Sequence, residues 1–107
     1  MKPGTVVVLN FQGVTGTKRR PAVVVSTEQY NNERPDLIVA LITSQISKAT
    51  ASSDHVLSDW SSAGLDRPSA VRCFIQTYAA LESQTIGSLT DSDWPNVQQR
   101  LKRSIAV

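Results

Sequence analysis

The apolar residues of the chain form short β-branched runs first and a helical stripe at the end. Residues 5–10 (TVVVLN) and 21–26 (PAVVVS) have the composition of strands, and the glycine-bearing residues 11–20 between them are predicted to form a hairpin loop. Residues 37–43 (LIVALIT) are apolar without alternation. Such a run predicts a strand that is covered on both faces or wrapped into a small barrel.

Polar segments separate these runs and the ones that follow. Residues 27–36 predict a loop with a helical turn, and residues 44–53 lack any apolar period and predict a flexible loop. Residues 55–58 are expected to form a short edge strand, residues 60–68 a connection that turns at Gly64, and residues 70–76 another strand. No repeat or low-complexity stretch interrupts the chain, so residues 1–107 are expected to form a single domain.

The last segment changes from strand period to helix period. Its apolar residues recur at helical spacing and predict an amphipathic helix docked on the sheet: Trp94, Val97, Leu101 and Ile105. An N-cap at Ser92 or Asp93 places Pro95 in the first turn, where proline is tolerated, whereas a cap at Thr90 would place it in the interior. Short strands followed by one helix predict a mainly β fold, a small SH3-like β-barrel with a C-terminal helix.

Length and composition agree with this reading. A chain of 107 residues with 40% hydrophobic residues is typical of one compact domain. No run approaches the roughly 18 apolar residues that cross a bilayer, and the first ten residues lack a signal peptide, so we expect a cytoplasmic protein without a membrane partner. The single Cys73 has no partner for a disulfide or a cysteine zinc site.

The placement of the charges is more informative than the net charge of +2. Cations concentrate at residues 18–20 and 100–103. Arg20 precedes Pro21, which favours an extended backbone and suits a guanidinium held for bidentate phosphate binding. Alternatively, Lys18, Arg19 and Arg20 are solubilising gatekeepers beside the valine run.

Other candidate residues also have two interpretations. Thr43, Ser44 and Gln45 end the most apolar strand, either as ordinary turn residues or as the lining of a ligand cleft. His55 is the only histidine and is either a surface residue or the sole available imidazole. Arg72 either faces outward or is a second phosphate contact. No nucleophile elbow, phosphate loop, HExxH, CxxC pair or dinucleotide motif is present, so no metal or cofactor is implied.

Four segments, taken in order, resemble one family. They are KPGTVVVLNFQGVTGTKRRPAVVVS, RPDLIVALITSQ, DHVLSDWSSAGLDRPSAVRC and IGSLTDSDWPNVQQRLK. Each pattern is weak alone, but their order and spacing over nearly the whole chain are similar to those of the MazF/PemK toxin endoribonucleases of type II toxin-antitoxin pairs.

The resemblance implies a homodimeric SH3-like barrel that cleaves single-stranded RNA without a metal, in a groove at the dimer interface. The ribose 2′-hydroxyl attacks the adjacent phosphate and leaves a 2′,3′-cyclic phosphate and a 5′-hydroxyl. The RRP and ITSQ motifs map catalytic roles onto Arg20 and Thr43. An RNA-binding set follows from the neighbouring segments, with residues 11–19 closing over the RNA: Lys18, Arg19, Ser44, Gln45, His55 and Arg72. An acidic antitoxin is the implied protein partner.

One position departs from the family pattern. Part of the family has an acidic residue, assigned as a general base, two positions after the arginine that corresponds to Arg72, whereas this chain has Phe74. Either Arg20 and Thr43 supply the chemistry, with His55 as a reserve base, or cleavage is weak or lost. A non-catalytic inhibitor or binding protein, similar to the gyrase-poisoning relatives, and a non-catalytic RNA-binding barrel are the alternative functions.

Overall fold

Six strands form one antiparallel sheet in the computed structural model, which describes residues 1–13 and 16–107 and, among these, the side chains of all but 11–13 and 17. The sheet order is β4-β5-β3-β2-β1-β6. The strands are β1 (Thr5–Gly13), β2 (Gly16–Val24), β3 (Asp36–Thr43), β4 (His55–Val56), β5 (Ala70–Ala79) and β6 (Gln84–Ser88). The helices are α1 (Glu28–Glu33) and α2 (Trp94–Ser104), with short 3-10 helices at Ile46–Lys48 and Ala80–Glu82. The predicted fold class, mainly β with a C-terminal helix, is confirmed.

The β1–β2 hairpin is longer than predicted. Pairing continues from Val6 opposite Val23 to Gly13 opposite Gly16, so most of residues 11–20 belong to strands rather than to a loop. The prediction was wrong because backbone hydrogen bonds extend a two-stranded ribbon even where the side chains are polar. Residues 14 and 15, part of the loop expected to close over RNA, lie outside the described residues.

The central strand β3 is covered on both faces, as its continuous apolar run predicts. Ala40 and Ile42 belong to one buried cluster with Val6, Val23 and Val97, whereas Leu37 and Val39 belong to a second buried cluster on the other face. Because side chains alternate across a strand, one apolar run supplies both layers.

Strand β6 was not predicted. It forms one edge of the curled sheet and contacts the connection that follows β4, at the other edge. The connection after β4 lies directly against β6, since a Cβ on Gly64 would stand 2.2 Å from the Ile86 carbonyl oxygen. Beyond β6, the Thr90 hydroxyl donates to Asp59 at 3.1 Å. The two edges of the sheet therefore meet through the segment that follows β4.

The C-terminal helix begins as predicted, with Asp93 at the N-cap position and Pro95 in the first turn. Val97 is buried, and Trp94 and Leu101 are half-buried against the core. Ile105, the last residue of the predicted stripe, lies just past the helix and is exposed, so the docked face ends at Leu101. Within the described residues, no helix is long and apolar enough to cross a membrane.

Candidate functional site

A proline ends the hydrogen-bonded ladder between β2 and β3. The Val25 N–H donates to the Ile38 carbonyl at 2.9 Å. Because backbone groups alternate between the two neighbouring strands, the backbone nitrogens of Val23 and Pro21 also point towards β3. Proline has no N–H to donate, and the last β2–β3 pair is Ala22 opposite Leu41. The two strands are therefore free to part beyond Ala22.

Arg20 and Thr43 lie just beyond the end of the pairing between β2 and β3. Arg20 precedes Ala22 on β2 and Thr43 follows Leu41 on β3, and both residues line the same cleft. Neither residue is fully buried, and Arg20 is exposed. Among the described residues, no hydrogen bond or ion pair engages the side chain of Arg20 or Lys18, so both cationic groups are available to a ligand.

The Thr43 hydroxyl has a defined orientation. Its Oγ1 accepts a hydrogen bond from the backbone N–H of Gln45 at 3.1 Å. A hydroxyl that accepts from the backbone keeps its own proton for another acceptor. Thr43 is thus poised to donate a hydrogen bond into the space beside Arg20.

An open cleft of about 570 Å³ lies over these residues. Four cationic side chains and one carboxylate line it within the described part of the chain, and Arg19 also donates to Gln84 at 2.7 Å. The lining consists of Lys18, Arg19, Arg20, Pro21, Ile42, Thr43, Ser44, Gln45, Leu65, Asp66, Arg67 and Ser69. The structure therefore brings together six of the eight residues singled out from the sequence, in a setting that favours an anionic ligand.

The wall formed by residues 65–69 was missed by the sequence analysis. Arg67 precedes Pro68, the same arrangement that drew attention to Arg20, and this repeated dipeptide was the available signal. The buried Ser69 donates its hydroxyl proton to the Arg67 carbonyl at 2.9 Å, which fixes the backbone there. The Arg67 side chain is 66% exposed and contacts Asp66 Oδ1 at 3.5 Å.

His55 lies outside the cleft lining. Its Nε2 is 2.9 Å from Asp93 Oδ1, and its side chain is only 11% exposed. The histidine begins β4 and connects that edge strand to the start of α2. Its predicted contact with RNA finds no support in this geometry.

Arg72 also lies outside the cleft lining. Its Nε is 3.4 Å from Asp54 Oδ1, and its guanidinium lies 4.4 Å from the centre of the Phe74 ring. Phe74, at the position of the family acid, is 54% exposed. Arg72 therefore contacts Asp54, just before β4, and Phe74, on its own strand β5.

The described residues contain no group of three or more histidine, cysteine, aspartate or glutamate side chains placed to hold a metal ion. Apart from the Asp66 carboxylate, the polar side chains that line the cleft can donate hydrogen bonds, which suits an oxyanion.

The family model for the PemK-like, MazF-like toxins of type II toxin-antitoxin systems matches residues 2–105. The chain belongs to this family. The match spans all six strands and both helices, so the cleft with Arg20 and Thr43 lies within the PemK/MazF domain. A comparison with curated protein sequences finds no match.

Solved structures support the PemK/MazF fold. An endoribonuclease in complex with its cognate antitoxin from a mycobacterial species is 18% identical with a TM-score of 0.81, over 97% of this chain and 93% of that one. The Mycobacterium tuberculosis toxin MazF-mt6 is 20% identical with a TM-score of 0.76, over 94% of both chains. A MazE-MazF structure from Deinococcus radiodurans is 19% identical with a TM-score of 0.78, over 97% of this chain and 94% of that one.

Proposed function

We propose that this protein is the toxin of a type II toxin-antitoxin pair and acts as a metal-independent endoribonuclease on single-stranded RNA. The observation that carries the proposal is a cationic cleft whose lining includes both the Arg20 guanidinium and the Thr43 hydroxyl, which accepts from the Gln45 N–H and has a proton to donate. Membership of the PemK/MazF family supports the same conclusion.

The two residues have complementary roles in the proposed reaction. The ribose 2′-oxygen attacks the adjacent phosphorus, and the bond from phosphorus to the 5′-oxygen breaks, giving a 2′,3′-cyclic phosphate and a 5′-hydroxyl. Arg20 donates to the non-bridging oxygens, whose negative charge grows in the transition state. The Thr43 hydroxyl donates a hydrogen bond to the same phosphate and orients it.

Removal of either donor is expected to abolish most cleavage. Arg20→Ala and Thr43→Ala should each lower the rate by at least about 100-fold, the typical loss for one donor to a developing oxyanion. Thr43→Ser keeps the hydroxyl and should retain most activity. The measurement is cleavage of mixed-sequence RNA in the presence of a chelator, with the fragment ends mapped.

Arg103→Ala is the matched control, because Arg103 is an exposed cation in the last turn of α2. It should cleave like the unmodified protein. Unchanged cleavage by both Arg20→Ala and Thr43→Ala would contradict the assignment of these two residues to the active site. Fragments that lack 5′-hydroxyl ends would contradict the reaction.

The partners belong to the same proposal. The resemblance favours a homodimer that acts on mRNA in the cytoplasm and is restrained by an acidic antitoxin. Two of the similar structures are complexes with an antitoxin or with MazE. The expected result is that co-expression of a short acidic protein encoded beside the toxin restores growth.

A non-catalytic role is the second candidate, and Phe74 favours it because it replaces the family acid by an exposed apolar side chain packed on Arg72. Such a protein would arrest growth or bind RNA without producing fragments. The chelator assay separates the two functions.

A further inference from the structure

We propose that Asp66 accepts the proton of the attacking 2′-hydroxyl. The assignment rests on the proposed ribonuclease function and adds the proton acceptor that the reaction requires. Asp66 lies in the connection between β4 and β5, on the wall of the cleft that also contains Arg67.

The chemistry of the cleft leaves Asp66 as the acceptor. It is the one carboxylate among the described residues that line the cleft, and the residues whose side chains are not described contain no carboxylate or imidazole. His55 is outside the lining and bonded to Asp93. Phe74 has no ionisable group. A general base has to reach the proton directly or through one water, which excludes the acids of the same protomer that lie outside the cleft.

The backbone that carries Asp66 is held from both sides. Before it, Gly64 adopts φ +92° and lies against the β6 backbone at Ile86. After it, Pro68 and the hydrogen bond from Ser69 to the Arg67 carbonyl restrict the chain. The Asp66 side chain is 87% exposed, and its Oδ1 lies 3.5 Å from the Nε of the exposed Arg67. A restricted backbone with an exposed carboxylate suits a group that has to meet a bound substrate.

The charge of Asp66 is unfavourable for binding alone. A carboxylate beside a polyanion repels its phosphates and lowers affinity, which opposes the attraction from Lys18, Arg19, Arg20 and Arg67. A purely electrostatic role therefore predicts that removing this charge improves RNA binding and cleavage. A role as proton acceptor predicts that the cleavage rate falls when the charge is removed. The direction of the change in rate therefore distinguishes the two roles.

The step balances with water as the only further reactant. The Asp66 carboxylate takes the 2′-hydroxyl proton while the 2′-oxygen forms its bond to phosphorus. The bond to the 5′-oxygen then breaks, and this oxygen takes a proton from water. The protonated Asp66 returns its proton to solvent. Arg20 neutralises the charge on the non-bridging oxygens throughout.

The test compares Asp66→Asn, Asp66→Glu and Asp91→Asn in single-turnover cleavage of RNA at saturating protein. Asp91 is an exposed acid before α2, outside the cleft lining, and controls for the loss of one negative charge. Affinity is measured separately with RNA blocked by 2′-O-methylation.

The expected result is a fall in rate of about 100-fold or more for Asp66→Asn, with RNA affinity unchanged or higher. Asp66→Glu should recover part of the rate. An unchanged or raised rate in Asp66→Asn, or a loss confined to affinity, overturns the assignment. Absence of any cleavage by the unmodified protein would instead show that the ribonuclease proposal itself fails.

Discussion

Asp93 shows how one buried residue organises the chain near the C-terminal helix. Its carboxylate is 1% exposed and accepts hydrogen bonds from the backbone N–H groups of Ser58 and Asp59, each at 2.9 Å, and lies 2.9 Å from His55. Although it occupies the N-cap position, its side chain does not cap the helix. The carboxylate instead joins the start of α2 to β4 and the segment after it.

The environment of Asp93 lowers its pKa. Burial acts in the opposite direction and would raise the pKa, but the two backbone N–H donors and the His55 ring together outweigh it. The charged form is therefore stabilised in the folded state. This contribution to stability is complete above the ordinary carboxyl pKa of about 4 and is lost as the pH falls through the lower folded value.

Asp93→Asn should destabilise the fold by about 2 kcal/mol at neutral pH, because the amide N–H₂ would face a backbone donor and leave it unsatisfied. Urea unfolding measures the change. Because asparagine does not ionise, the free energy of unfolding of the variant should fall less than that of the unmodified protein as the pH decreases below about 4. Asp91→Asn, an exposed neighbour, should stay within about 0.5 kcal/mol. Equal stability of the two variants would contradict the role assigned to Asp93.

At the scale of elements, the cleft lies where the pairing between β2 and β3 ends, and β6 supports its opposite wall. Pro21 ends the ladder on one side, and the contact between residues 63–64 and β6 positions residues 65–69 on the other. The backbones touch at two glycines, since a Cβ on Gly87 would stand 2.2 Å from the Ala63 carbonyl oxygen. No side chain fits between them.

Gly87→Ala should therefore destabilise the protein by about 2 kcal/mol or more, as β6 has to move away from Ala63. Its effect should extend to cleavage, because the segment that loses its contact with β6 leads into Asp66. Thermal unfolding and the chelator assay measure the two changes. Ser88→Ala, at an exposed position of the same strand, is the control and should change neither. A fully stable and active Gly87→Ala would show that this contact does not support the cleft.

At the scale of the whole molecule, charge placement matters more than the net charge of +2. Four of the cations meet in one cleft, whereas several others are engaged elsewhere, such as Arg34 with Asp36 and Arg72 with Asp54. Such local concentration attracts a polyanion even when the total charge is small.

RNA affinity should consequently decrease with salt. For an uncleavable 2′-O-methyl RNA, four phosphate contacts at each site give a slope of log affinity against log salt near about −3. Arg67→Gln should reduce the magnitude of the slope by about 0.7, whereas Arg103→Gln should leave it unchanged. Titrations at several salt concentrations measure this. A slope near zero would contradict the cleft as an RNA site.

The sequence by itself determined the elements whose signals are local. The valine runs of β1 and β2, the continuous apolar run of β3 and the stripe from Trp94 to Leu101 specified strand and helix through their own side-chain periods. The Arg20–Pro21 and Thr43–Gln45 motifs likewise identified two parts of the cleft and, through resemblance, the family.

The tertiary structure decided what depends on distant segments meeting. The polar end of the hairpin and β6 have weak apolar patterns and exist through pairing with β1. Asp66 and Arg67 reach the cleft because glycines let two backbones touch, and His55 is held away from it by Asp93, 38 residues along the chain. The local period of apolar residues indicates which face of an element is buried. Contacts between residues far apart in the sequence form only when the curled sheet brings their segments together.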